Sequence, residues 1–315
     1  MNLVSIPANP VPEKAVAGSL RTPDGIELRY ARWAPPAGRK GTVCLFQGRA
    51  EFIEKYYETV VDLRTRGFAV ATLDWRGQGL SQRLLPDRNK GYVRSFADYD
   101  LDLETFMREL VLPDCPPPIF AIGHSMGGTI LLRAMYRGHR WFDRIVLSAP
   151  MIALRGGGLL GAASTLARVM RLMGMGSSYV PGGDRLLVGS GPFVGNILTS
   201  DPVRYARNAA VLEMEPALGI AAPTIAWADS AFKVMADFTE HASAAKIRQP
   251  ILMIGAGRDQ VVSTQAMEEF AVRLRAGSHL TVAGSEHEIL MEQDRYRRQF
   301  WAAFDAFVPG TPLFG

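Results

Sequence analysis

Five short and almost unbroken apolar runs frame this chain, at residues 42–46, 68–73, 118–122, 144–150 and 250–255. Each is too short for a helix and is bounded by Gly, Pro or polar residues, so each reads as a strand buried on both faces. A sixth run, 279–283, follows near the end. Between the runs apolar residues recur at helical spacing: Phe52, Tyr56, Val60 and Leu63; Phe96, Tyr99, Leu103, Phe106 and Leu110; a stretch around 264–275; and Tyr296, Phe300, Phe304 and Phe307. These predict amphipathic helices. Ser95, with Asp98 three residues on, has the form of a capping box for the second of them. Strands alternating with helices imply a mostly parallel sheet joined by right-handed crossovers. Ahead of it, residues 18–21 and 26–33 flank Asp24-Gly25 and read as an antiparallel hairpin, preceded by a Pro-rich surface arm over 1–17.

The alternation stops after Pro150. Residues 151–230 contain Gly156-Gly157-Gly158, Gly182-Gly183 and several Met, with no buried strand. This predicts a helical cap over 151–230 inserted into a core formed by 1–150 and 231–315. Within the cap, Leu159, Ala163, Leu166, Met170 and Met173 fall on one helical face. Met170 and Met173 are expected substrate contacts, together with Gly48 in the core, since a flexible Met wall accommodates alkyl chains of several shapes. Packing of that face on the core is the alternative.

Composition narrows the class. The chain is 48% hydrophobic and 21% charged, and its net charge of +4 is spread without a dense basic run, which excludes nucleic acid as a partner. No apolar run reaches the roughly 18 residues of a membrane span, and residues 1–7 lack the basic and apolar regions of a signal peptide. A soluble, cytoplasmic protein is expected. Cys44 and Cys115 are too few for a zinc cluster and read as reduced thiols.

The chemistry centres on Gly123-His124-Ser125-Met126-Gly127-Gly128, which lies between a predicted strand and a predicted helix. Gly-x-Ser-x-Gly in that context is a nucleophile elbow, and it presents Ser125 Oγ at the carboxyl edge of the sheet. A serine needs a base within hydrogen-bond reach. Of five histidines, only His287 lies just past the carboxyl end of a strand; the His124 side chain should point away from Ser125 Oγ. The orienting acid is Asp259, after the strand ending at Gly255. The oxyanion donors should be the backbone N–H groups of Met126 and of Arg49, the latter in the turn after residue 46, where Gly48 would permit unusual backbone angles. The loop Asp74-Trp75-Arg76-Gly77-Gln78-Gly79-Leu80-Ser81 reads as support for the site's floor, with Arg76 bound to backbone carbonyls.

These residues resemble a known family. Gly123-His124-Ser125-Met126-Gly127-Gly128, Asp74-x-Arg76-Gly77-x-Gly79-x-Ser81, Asp259 and His287 are similar to the α/β-hydrolases of the monoacylglycerol lipase and lysophospholipase type, over roughly residues 20–305. Asn196-x-Leu198-Thr199-Ser200-Asp201-Pro202-x-Arg204-Tyr205 resembles cap sequence of the lysophospholipase L2-like branch. The resemblance implies an α/β-hydrolase fold with an inserted cap, and cleavage of carboxylic esters of lysophospholipid or monoacylglycerol type through an acyl-enzyme, without metal or organic cofactor. The expected partners are a small ester or lipid substrate and, transiently, a membrane surface. The chain departs from the family in carrying Gln47-Gly48 where His-Gly is usual. Two other readings stay open: amide or C–C bond hydrolysis by the same residues, and a non-enzymatic protein that binds a lipid or a partner.

Overall fold

A computed structural model describes residues 2–35, 40–157, 159–239 and 241–308. Among them eight strands form one sheet: β1 (Ala15–Arg21), β2 (Glu27–Trp33), β3 (Thr42–Phe46), β4 (Ala69–Leu73), β5 (Ile119–His124), β6 (Arg144–Ser148), β7 (Ile251–Ala256) and β8 (Gly277–Val282). Their order is β1-β2-β4-β3-β5-β6-β7-β8. β2 runs antiparallel to both β1 and β4, and every pair from β4 to β8 is parallel. The hairpin and the parallel run are those expected from the sequence. β3, β4, β5 and β7 bury every residue, which is why their sequences show no alternation.

The helices are α1 (Tyr57–Thr65), α2 (Phe96–Phe106), α3 (Leu112–Asp114), α4 (Met126–Tyr136), α5 (Leu159–Leu172), α6 (Pro202–Met214), α7 (Ile225–Thr239), α8 (His241–Lys246), α9 (Thr264–Ala271) and α10 (Asp294–Phe307). Side chains of α1 and α10 pack on one face of the sheet, and those of α2, α4, α7 and α9 on the other. The Ser95 hydroxyl and Asp98 carboxylate form the capping box at the start of α2. A π-helical turn over Met107–Val111 continues that helix and keeps Leu110 buried. The N-terminal arm is tied to the core by Val4 N–H, which donates to Glu54 Oε1 at 3.0 Å.

The segment between β6 and β7 is helical, with α5 to α8 in it. α7 continues through residue 230 to Thr239, so the boundary drawn there from the sequence cuts a helix. The reason is that Ala231, Val234, Met235 and Phe238 stay buried, and α7 carries one apolar face from the insertion into the core. Gly158 and residues 309–315, expected in the cap and the core respectively, lie outside the described residues, as does the side chain of His241.

Candidate active site

β5 ends at His124, α4 begins at Met126, and Ser125 between them has φ 48° and ψ −114°. For a residue with a Cβ this backbone costs on the order of 1–3 kcal/mol and persists only where its surroundings fix it. They do so here: Ser125 N–H donates to Ser148 O at 3.0 Å, and Ser125 O accepts from Thr129 and Met151 N–H. Gly127 lets the helix start press against β3, since a Cβ there would lie 2.4 Å from Phe46 O and 2.6 Å from Gln47 O. The first N–H groups of α4, which have no intrahelical acceptor, therefore open onto the edge where Ser125 sits.

The carboxyl ends of β7 and β8 bring two more side chains to that edge. Asp259 Oδ1 accepts from Val261 N–H at 2.8 Å and Val262 N–H at 2.9 Å. Its Oδ2 lies 2.7 Å from His287 Nδ1, and His287 Nε2 lies 3.1 Å from Ser125 Oγ. An ionised carboxylate can only accept, so Nδ1 carries the imidazole proton and Nε2 is left to accept from the serine hydroxyl. All three groups are buried, with Ser125 9% exposed and the other two 4%. Burial works to raise the Asp259 pKa, but the bond to His287 and the two backbone N–H donors outweigh it and hold the carboxyl below its ordinary value. His124 is turned aside: its Nδ1–H donates to Ser148 O at 3.1 Å, and burial pushes its imidazole down to about 4.

The turn after β3 faces the serine, for reasons partly different from those expected. Gly48 has no left-handed φ; that conformation falls on Ala50, at φ 63°. Gly48 is needed for space, because a Cβ would lie 2.9 Å from Glu51 Oε2 and 3.2 Å from Ser125 Cβ. Its N–H donates to Glu51 Oε2, which also accepts from Tyr56 OH at 2.7 Å. Gln78 holds the other side of the turn, donating to Gly48 O at 2.8 Å and accepting from Ala50 N–H. Arg49 N–H has no acceptor among the described residues. Gln47 is fully buried, and its side chain reaches Thr72 on β4 at 3.5 Å and away from the site.

Sequence reasoning missed Glu51 and Gln78. Lys55 Nζ bridges Glu51 Oε1 at 2.8 Å and Glu288 Oε1 at 2.6 Å, so an ionic strut joins this turn to the neighbour of His287. Burial opposes ionisation of Glu51, yet Lys55 and His124 pull its pKa to about 2. Arg76 binds carboxylates, Asp24 and Asp102 at 2.7 Å each, and not the backbone carbonyls expected, because its fork fits carboxylates bidentately.

Residues 37–294 match the family model described as serine aminopeptidase, S33. The chain belongs to that family. Among curated relatives, lysophospholipase L2 of Escherichia coli (strain K12) is 31% identical over 87% of this chain and 82% of its own. A monoacylglycerol lipase of Mycolicibacterium smegmatis is 28% identical over 50% of this chain and 53% of its own. A soluble variant of monoglyceride lipase from Saccharomyces cerevisiae, solved with a substrate analogue, superposes with a TM-score of 0.72 at 19% identity, covering 93% and 96% of the two chains. The fold is that of the α/β-hydrolases.

The insertion of this S33-family chain helps to line several cavities among the described residues. One, of about 310 Å³, is lined mostly by apolar side chains, among them Ala163, Leu166 and Ala167 of α5 and Trp227, Ala231 and Met235 of α7. Met170 and Met173 do not line it: Met170 is half-buried, and Met173 lies past the end of α5 and is 71% exposed. Ala163 and Leu166 of the expected face do line it, the most buried side of α5 runs through Ala167, and Arg171 Nη1 donates to Asp229 Oδ2 on α7 at 2.6 Å. Another, of only about 20 Å³, mixes polar and apolar lining: Arg49, Lys55, Asn208 and Glu288 beside Phe52, Val188 and Leu212.

The segment 196–205 anchors the insertion to the loop bearing His287. Glu288 N–H donates to Leu198 O at 2.8 Å, Thr199 Oγ1 to Met291 O at 2.7 Å, and Ser200 Oγ to Glu292 Oε2. Asp201 caps α6, and Arg204 pairs with Glu58, Asp201 and Asp294.

Proposed function

We propose that this protein is a serine hydrolase that cleaves carboxylic esters of lysophospholipid or monoacylglycerol type through an acyl-enzyme. The hydrogen-bonded chain Asp259–His287–Ser125 on the strained turn carries the reading. Ser125 Oγ attacks the ester carbonyl while His287 Nε2 takes its proton; Asp259 holds the Nδ1–H tautomer and stabilises the imidazolium. The carbonyl oxygen becomes an oxyanion that accepts from Met126 and Arg49 N–H. His287 then protonates the leaving alkoxide, the C–O bond breaks, and water releases the acid by the same route reversed. The two relatives named as lipase and lysophospholipase support an ester as substrate. The apolar cavity has the size of a ligand pocket and suits the acyl chain.

The insertion acts as a cap over this site. Among the described residues, eleven of the fifteen exposed large hydrophobic ones lie between 159 and 214, which supports transient docking of the cap on a lipid surface. No helix among the described residues is long and apolar enough to cross a membrane. The two free thiols are compatible with a cytoplasmic location.

The test is turnover of long-chain monoacylglycerols and lysophospholipids together with covalent labelling by a fluorophosphonate. Ser125→Ala should abolish labelling and lower kcat by about 10⁶, as when a triad nucleophile is removed. Residual activity above about a hundredth of wild type would place the nucleophile elsewhere. Preferential cleavage of aminoacyl amides over esters would favour the peptidase reading that the family's description carries.

A further inference from the structure

The loop from Asp74 to Ser81 stands out in the sequence, yet it has no part in the reaction as written above. It is held along its whole length. The Asp74 carboxylate accepts from Ile53 N–H at 3.0 Å, Leu80 N–H at 2.8 Å and Arg29 Nε at 2.7 Å. Gly79, at φ 56°, lets the chain turn closely over that carboxylate, which a Cβ there would overlap. Ser81 Oγ donates to Asp74 O at 2.6 Å, and Arg76 is clamped between Asp24 and Asp102. Between Gly77 and Gly79 the loop presents one side chain, that of Gln78, which is 2% exposed.

Every polar atom of that side chain is engaged by the oxyanion turn. Nε2 donates to Gly48 O at 2.8 Å and Glu51 O at 3.2 Å, and Oε1 accepts from Ala50 N–H at 3.3 Å. The reversed amide would set its oxygen against two carbonyls and its NH2 against an N–H, so the network admits this orientation alone. Gly48 O and Arg49 N–H belong to one peptide. That unit is planar and trans, so the two groups point in opposite directions. Holding Gly48 O on Gln78 therefore turns Arg49 N–H away from the loop. The N–H groups on either side are taken, that of Gly48 by Glu51 and that of Ala50 by Gln78. The bond to Ala50 also holds that residue at φ 63°, which a residue with a Cβ seldom adopts. Arg49 N–H is thus the one donor of the turn without an acceptor among the described residues. The turn packs against the nucleophile, since a Cβ on Gly48 would lie 3.2 Å from Ser125 Cβ.

We propose that Gln78 is a positioning residue for the reaction: by holding the peptide between Gly48 and Arg49, it aims Arg49 N–H at the ester oxyanion. The loop Asp74–Ser81 serves to hold Gln78. The proposal rests on the ester-hydrolase reading above, with Arg49 N–H as the second oxyanion donor. Such a donor is effective because it is in place before the charge develops. A peptide left free to rotate would have to reorient as the charge appears, so its loss falls on the transition state and not on substrate binding.

The experiment measures kcat and KM of wild type, Gln78→Met and Gln78→Asn on p-nitrophenyl butyrate and decanoate. It also measures Ki for an alkyl trifluoromethyl ketone, to which Ser125 Oγ adds to give a tetrahedral oxyanion adduct. Methionine keeps the length of the side chain without a donor, and asparagine keeps the amide one methylene short of Gly48 O. Each substitution should lower kcat about tenfold to a hundredfold, less than the roughly 10²–10³ of deleting an oxyanion donor outright. KM should stay within about threefold, both esters should lose the same factor, and the ketone should weaken in step with kcat/KM. A kcat within about threefold of wild type overturns the proposal and leaves the esterase reading intact. So does a loss confined to KM, a loss that grows with chain length, or an unchanged ketone affinity, because each would make Gln78 a support for the fold or the acyl cavity. Wild-type protein that turns over neither ester overturns both readings. Should Gln78→Met fail to fold, the same criteria applied to Gln78→Asn decide.

Discussion

Strands β3, β4, β5 and β7 bury every residue they contain, whereas α5, fourteen residues long, buries Ala167 alone. Both regions are rich in apolar side chains. In the sheet the exclusion of water decides where each one points, and a run of Val, Ile and Leu has one stable place to go. In the insertion Leu159, Leu172 and Met173 are more than two-thirds exposed, while an ion pair between Arg171 and Asp229 joins α5 to α7. A sheet that must hold a strained serine is built for rigidity. The insertion instead leaves apolar side chains facing water, the feature on which the proposed docking to a lipid surface rests.

That contrast predicts effects of different kind and size. The largest belongs to the sheet edge. Asp259→Asn should lower kcat by about 10⁴ on every ester, whatever its chain length, because the wrong imidazole tautomer would be held against Ser125. A chain-length-dependent loss, read from a series of p-nitrophenyl esters, would mean that Asp259 shapes the substrate pocket instead.

A smaller and selective effect belongs to the insertion. Leu166→Asp should depress kcat/KM on long-chain esters roughly tenfold to a hundredfold relative to butyrate, since each lost methylene contact removes about 0.8 kcal/mol. Met173→Asp, on the outward side, should leave that ratio where it was. If the two substitutions behave alike, the apolar cavity is not the acyl site.

The smallest effect concerns the stability of the sheet edge. His124 titrates near 6.5 when unfolded and near 4 when folded, so below about pH 6.5 the unfolded chain takes up a proton that the folded one refuses. Stability from this group is present above the unfolded value and is lost as pH falls toward the folded one. Between about pH 7 and about pH 5 the loss should be ~2 kcal/mol, measured by urea unfolding. His124→Asn should remove that share of the pH slope, and an unaltered slope would assign it to other groups.

How much of this could be read in advance followed the distance over which each feature is encoded. The elbow is local: Gly123, Ser125 and Gly127 are fixed by one turn, and their order in sequence is their order in space. Asp259 and His287 were legible because each follows a strand at the same edge, so chain order and sheet order agree. The clamp on the oxyanion turn was not, because Gln78 reaches Gly48 from a loop thirty residues away and only the folded sheet brings them together. Nor was the pairing of α5 with α7, since Arg171 finds Asp229 far along the chain and only the folded insertion brings them together. The left-handed backbone expected at Gly48 falls on Ala50, and Gly48 is instead tight for space.

The tie between residues 196–205 and the loop after His287 has a consequence for recombining domains among relatives. Helices α5 and α7 contact the core largely through apolar surface, which tolerates substitution by side chains of similar volume. The tie is made of paired donors and acceptors: Leu198 with Glu288, Thr199 with Met291, Ser200 with Glu292. A chimera that takes its insertion from one parent and its C-terminal loop from another would separate these partners and loosen the histidine they border. Crossovers that transfer residues 196–205 and 286–294 as a matched pair should give working hybrids more often than crossovers placed at the ends of the insertion alone.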